Sequence, residues 1–191
     1  MEPRVRDADP RADAGAVADI YGAAVSRSIA TFEVEPPAPA EMARRMARIL
    51  ERTPWLVAEL DGVVAGYAYA GPHHERAGYR WSVNISAYVR DGQRGRGVGR
   101  ALYATLIPRL RAQGFANVYA GIALPNPASV ALHEGLGMER VGIYRRVGWK
   151  LGDWRDVAWY GMRIGEPPLA PDGTPLEPTA LAGLGPGPLD R

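Results

Sequence analysis

The strongest chemical signal in this 191-residue chain is Gln93-Arg94-Gly95-Arg96-Gly97-Val98-Gly99-Arg100. Glycines at this density let the backbone curl so that successive N–H groups point inward. The segment follows an alternating strand and opens a helix, whose N-terminus adds the positive end of its dipole. With Arg90, the arginines place four cations in one 11-residue stretch. Together these features make a pocket for a pyrophosphate. Two other phosphate loops are excluded by spacing. In a Gly-x-Gly-x-x-Gly frame, Arg100 or Leu102 stands where the last glycine belongs, and the Gly-Lys-Ser/Thr of a P-loop is absent. The competing reading is a glycine-rich turn with solvated arginines; strand, glycines and helix in register favour the anion site.

The elements around this loop follow from periodicity. Residues 81–89 alternate: Trp81, Val83, Ile85, Ala87 and Val89 face one way, Ser82, Asn84, Ser86 and Tyr88 the other. Residues 98–113 carry apolar side chains at helical spacing up to Gly114, with Pro108 inside the pattern as a cost or a kink. Upstream, residues 13–25 and 40–50 read as helices, separated by Pro36-Pro37-Ala38-Pro39. Trp55–Leu60 and residues 63–70 flank Asp61-Gly62 as a hairpin. Downstream come a strand over 118–124, a short helix over 128–134, and strands over 144–150 and 156–164. This order predicts a mixed α/β domain.

Composition sets the outer limits. At 47% hydrophobic and 23% charged, the chain is a globular protein with one sizeable core. The absence of cysteine excludes disulfide scaffolds, thiolate metal sites and a Cys nucleophile. His73-His74 lacks the spacing of a ligand set, so no metal site is expected. No apolar run approaches a membrane span, and Met1–Asp7 shows no signal-peptide core; a cytoplasmic protein without membrane association is expected. Net charge +2, and arginines gathered on a glycine loop, argue against a nucleic-acid partner. Residues 165–191 hold seven of the 17 prolines and five of the 23 glycines. They are expected to form a disordered tail behind a single folded domain, residues 1–164.

Arg94-x-x-Gly97-x-Gly99 resembles the acetyl-CoA pyrophosphate loop of GCN5-related N-acetyltransferases (GNAT). Asn126-Pro127-Ala128-Ser129-x-x-Leu132-His133 is similar to the second cofactor-contacting segment of that family. Pro54-Trp55-Leu56-Val57-Ala58-Glu59, Ala68-Tyr69-Ala70-Gly71-Pro72 and Gly148-x-Lys150-x-Gly152-x-Trp154 look like its phosphinothricin N-acetyltransferase subfamily. The resemblance implies a mixed, mostly antiparallel central sheet flanked by helices. It implies acetyl-CoA as cosubstrate and transfer to the α-amino group of a small amino acid or amino-acid-like toxin, by direct attack in a ternary complex.

Residue by residue, the resemblance gives the cofactor the backbone of Ala87, Tyr88 and Val89, where the Val89 N–H would polarise the thioester carbonyl. Arg94, Gly95, Arg96, Gly97, Val98, Gly99 and Arg100 would hold the pyrophosphate, with Asn126 and Ser129 further along. His133 falls where relatives protonate or hydrogen-bond the leaving sulfur. Phe32, Arg76, Ser86 and Tyr88 would bind the acceptor, Arg76 as a partner for its carboxylate. Asn84 occupies the position of the glutamate base, and an amide is not a base. It either positions a water for Glu33, Glu35 or Glu75, or the acceptor is an amine already partly neutral. Two alternatives stay open: an acetyl-CoA-binding sensor without catalysis, and an acetyltransferase for a peptide N-terminus or polyamine. The C-terminal strands would form a homodimer.

Overall fold

The computed structural model describes residues 2–181. Its strands are β1 (Arg4–Asp7), β2 (Trp55–Leu60), β3 (Val63–Pro72), β4 (Ser82–Val89), β5 (Asn117–Ala123), β6 (Glu139–Lys150) and β7 (Asp153–Arg163). They form one sheet in the order β1-β2-β3-β4-β5-β7-β6. Every neighbouring pair is antiparallel except β4 and β5, giving the mixed, mostly antiparallel α/β architecture expected. The hairpin at Asp61-Gly62 is present, with both residues at positive φ. Two elements differ from the sequence reading. β1 has one apolar residue among four, too few for a periodic signal, and its charges suit an exposed edge. β6 begins five residues earlier than expected, in the exposed stretch from Glu139.

The alternation along β4 assigns the two faces. Val83 and Ile85 enter a core made with α3 (Val98–Ala112) through Leu102, Leu106 and Leu110. α3 runs through Pro108, which lacks the N–H that would bond the Ala104 carbonyl. On the other face, α1 (Ala14–Arg27) and α2 (Pro39–Leu50) pack Val17, Ile20, Met42 and Met46 over Trp55, Val57 and Tyr67. α1 is tied to the sheet edge by Arg6, which bonds the buried Asp13 carboxylate at 2.7 and 2.8 Å and Glu59 at 2.7 Å. The short helix α4 (Pro127–Glu134) follows a cis Leu124–Pro125 peptide.

Residues 165–180, expected as part of a disordered tail, lie against the domain instead. The Trp81 indole donates to the Leu176 carbonyl at 2.7 Å, the Thr179 N–H to Gln113 at 2.8 Å, and Arg80 pairs with Glu177. A proline-rich segment still presents carbonyl acceptors to donors of the domain, as Leu176 does, and Thr179 keeps an N–H to donate in return. The last ten positions of the expected tail, 182–191, lie outside the described residues.

Candidate active site

β4 and β5 pair only from Ser82 to Asn84, opposite Asn117 to Tyr119. Beyond Asn84 the two strands separate. The Arg90 N–H bonds the Ala65 carbonyl at 2.8 Å, and Val89 stands opposite Gly66. Antiparallel pairs alternate between bonded and non-bonded. Arg90, Tyr88 and Ser86 therefore turn their backbone groups to β3, while Val89, Ala87 and Ile85 turn theirs into the opening. Of the three backbones assigned to the cofactor by resemblance, Tyr88 is thus committed to β3 and contributes its side chain.

The opening continues into a cleft of about 530 Å³ that runs to the start of α3. Ser86, Ala87, Tyr88 and Val89 line one wall, Ala120–Ala123 the other, and Ile20, Ala23 and Ala24 of α1 close it. At the far end the chain turns through Gly95 (φ 75°) and Gly97 (φ 81°), the N-cap of α3. Left-handed backbone at these two points aims N–H groups inward, and a side chain there would be strained. Gly99 is helical and meets Leu132 at 3.0 Å from where its Cβ would stand.

The arginines divide. Arg94 and Arg100 line the cleft, Arg94 resting on Asp91 at 3.0 Å and Arg100 reaching the Gly135 carbonyl at 3.3 Å. Arg96 does not line it, because Asp61 in the β2–β3 turn holds it at 3.0 Å. Arg90 is likewise turned away, to the Val64 carbonyl. Asn126 caps α4 by accepting from the Ser129 N–H at 3.1 Å, and both residues line the cleft. Capping and lining coexist at that position.

His133 is 4% exposed and also lines the cleft. Its Nδ1–H donates to the Ser129 carbonyl at 2.7 Å, which leaves the lone pair on Nε2. Nε2 is buried without a partner. Burial lowers the affinity of the ring for a proton, outweighing the Ser129 bond that favours the charged form. In this state His133 is an acceptor, and it protonates a thiolate only after taking up a proton itself.

Among the residues expected at the acceptor, Phe32 lies over Gly148 of β6, and the buried Lys150 donates to the carbonyl of the adjacent Glu33. These contacts pin the 28–38 segment to the far side of the sheet. Glu33 is occupied by Arg45 at 2.8 Å and the Tyr21 hydroxyl at 2.9 Å. Glu35, Glu75 and Arg76 are exposed, and Arg76 makes no ion pair among the described residues. Arg80 is engaged by Glu177 and lies over the Trp81 ring at 5.2 Å. Asn84 stands at the head of the opening, its Oδ1 2.8 Å from His73 Nδ1.

Sequence reasoning weighs His73 only as a metal ligand and gives no site role to Tyr119, Trp159 or Tyr103. Tyr103 is buried in the α3 core and also lines the cleft. Tyr119 and Trp159 gather beside His73, at 4.4 and 6.1 Å between ring centroids. The one available signal was the alternation in β5, which puts Tyr119 opposite the face of Val118 and Ala120.

What the cleft offers is a strand gap with inward backbone donors, a left-handed glycine turn at a helix N-terminus, two arginines and an orphaned buried imidazole nitrogen. This donor set fits an extended thioester cosubstrate with a pyrophosphate. Comparison with known proteins agrees. A family model described as an acetyltransferase (GNAT) domain matches residues 9–159. A phosphinothricin N-acetyltransferase of Streptomyces viridochromogenes is 43% identical over 164 residues, covering 84% of this chain and 90% of the relative. An L-methionine sulfoximine/L-methionine sulfone acetyltransferase of Pseudomonas paraeruginosa is 38% identical over 176 residues, 90% of this chain and all of the relative. The crystal structure of a phosphinothricin acetyltransferase from Sinorhizobium meliloti in complex with AcCoA superposes with TM-score 0.86 at 37% identity, covering 96% and 98% of the two chains.

Proposed function

The chain belongs to the GNAT family of acetyl-CoA-dependent N-acetyltransferases, and we propose that it acetylates the α-amino group of a small amino-acid-like acceptor of the phosphinothricin or methionine sulfoximine kind. The observation that carries this reading is the separation of β4 from β5 immediately after Asn84, continuous with the glycine turn of α3. In it, Gly95, Gly97, Arg94 and Arg100 hold the pyrophosphate of acetyl-CoA. The inward N–H groups of Ala87 and Val89 sit along the thioester arm, and the Val89 N–H polarises the thioester carbonyl, which bears charge as the amine attacks. Acetyl-CoA supplies the activated acetyl group. Ser86, Tyr88 and Phe32 shape the acceptor side. With no cysteine to carry an acetyl group, transfer is direct within a ternary complex, and holding both reactants in place supplies much of the rate.

The test is thiol release from acetyl-CoA against phosphinothricin, methionine sulfoximine, the common amino acids, a short peptide and spermidine, at pH 7 and 9. Turnover with a free amino acid or one of the two toxins is the expected outcome. Turnover confined to the peptide or spermidine would overturn the acceptor class. Silence with acetyl-CoA still bound would leave a sensor. We also propose that the outer β6–β7 hairpin pairs with a second copy of the chain, supported by the exposed Tyr144, Val147, Trp149, Leu151 and Trp154 on it.

A further inference from the structure

We propose that His73, oriented by Asn84, is the general base that takes the proton from the ammonium group of the acceptor; this rests on the acetyl-transfer reading above. Asn84 is the last β4 residue paired to β5, opposite Tyr119, so it stands where the strands part. His73 directly follows β3, and its ring stacks on Tyr119 with 27° between planes. An amide oxygen carries only lone pairs, so the 2.8 Å contact between Asn84 Oδ1 and His73 Nδ1 requires the hydrogen to be on Nδ1. Nε2 of the neutral ring then bears the free lone pair. Unlike Nε2 of His133, it is not buried, and it bonds to no described residue.

The same face carries Ser86 and Tyr88, which line the cleft. His133 packs against Tyr103 and Tyr160 on the α3 side of the sheet, so one imidazole stands on each side of the gap. The carboxylates do not compete: Glu33 is held by Arg45 and Tyr21, and Glu35 and Glu75 are exposed. Around the His73 ring lie the phenols of Tyr79 (6.0 Å) and Tyr119, the Trp159 indole and Asn84, with His74 tilted against Tyr79 at 4.9 Å. Glu75 and Arg76, next in the chain, make no ion pair among the described residues.

The step balances. Nε2 takes one proton from R–NH3+, and the freed lone pair forms the C–N bond as the C–S bond breaks. The sulfur leaves with the electron pair and receives the second amine proton. The proton on His73 passes to solvent. An amide at position 84 therefore serves as a positioning residue, not as a failed base.

The experiment compares the wild-type chain with His73→Gln, Asn84→Asp and a His74→Gln control, with the acceptor found active in the panel. His73→Gln should lower kcat at pH 7 by about 100-fold or more, with acetyl-CoA Kd within about twofold by calorimetry. The deficit should shrink at high pH, where the amine is neutral without help. Asn84→Asp places a carboxylate against the ring and favours imidazolium. The acid limb of kcat/KM should move upward by about one unit, as should the NMR midpoint of the His73 imidazole in the ligand-free protein. Wild-type kcat and pH profile in His73→Gln overturn the proposal. So does an unmoved midpoint in Asn84→Asp, which decides the matter if His73→Gln does not fold. Wild-type silence on every acceptor fails the acetyl-transfer reading instead.

Discussion

At the residue scale, the two imidazoles at the strand gap differ in surroundings. His133 is enclosed by Tyr103, Tyr160 and the Ser129 carbonyl, and burial holds its proton affinity below that of a free imidazole. The unfolded chain takes up that proton near pH 6.5, the folded chain only at lower pH. Stability from the neutral ring is thus fully present above about pH 6.5 and is lost as pH falls through the folded value. His133→Gln removes this dependence. Urea melts between pH 7 and 5 should show a flatter profile than wild type, by up to ~1.4 kcal/mol per pH unit. Parallel profiles would refute the assignment. His73 Nε2, by contrast, is not buried and bonds to no described residue.

At the element scale, the wall proposed for the acceptor depends on a segment without regular structure being held to β6. Phe32 lies on Gly148, where a methyl group would overlap its ring, and Lys150 fastens the adjacent Glu33 carbonyl. Gly148→Ala should push Phe32 off the strand at a cost of about 1–3 kcal/mol. Steady-state kinetics should then show acceptor KM raised several-fold while acetyl-CoA Kd is unchanged, because the glycine turn at α3 lies on the other side of the cleft. Equal losses in both constants would mean that the segment supports the whole site. The glycine turn owes its shape to Gly95 and Gly97 at positive φ, whereas its arginines are partitioned by neighbours. Asp61 draws Arg96 away, and Arg94 and Arg100 remain.

At the scale of the whole molecule, β6 closes one edge of the sheet and carries apolar side chains into solvent. Trp149 is 56% exposed, Tyr144 58% and Trp154 45%. Large aromatic groups grouped on one hairpin are typical of a surface that buries itself against a partner. Sedimentation equilibrium should report a dimer for the wild type and a monomer for Trp149→Glu. A monomeric wild type would refute the homodimer. The opposite edge, β1, is short and charged, consistent with an edge that stays unpaired. The 165–180 segment adds hydrogen bonds at the C-terminal end of α3.

The fold and the cosubstrate loop were legible in the chain because their signals are local. Alternation over residues 81–89 assigned both faces of β4, and the Arg94-x-x-Gly97-x-Gly99 spacing located the glycine turn before a helix. Asn84 stood out through the family resemblance, as an amide where that resemblance implies a glutamate base. What answers it was not, since His73 lies 11 positions away and reaches Asn84 only through the β3–β4 register. The same holds for Arg96 and for residues 165–180, whose partners Asp61, Trp81 and Gln113 are distant in sequence. Local pattern specifies which way a residue faces. Which group it meets is a property of strand order and register, and those are set by the packing of the whole sheet.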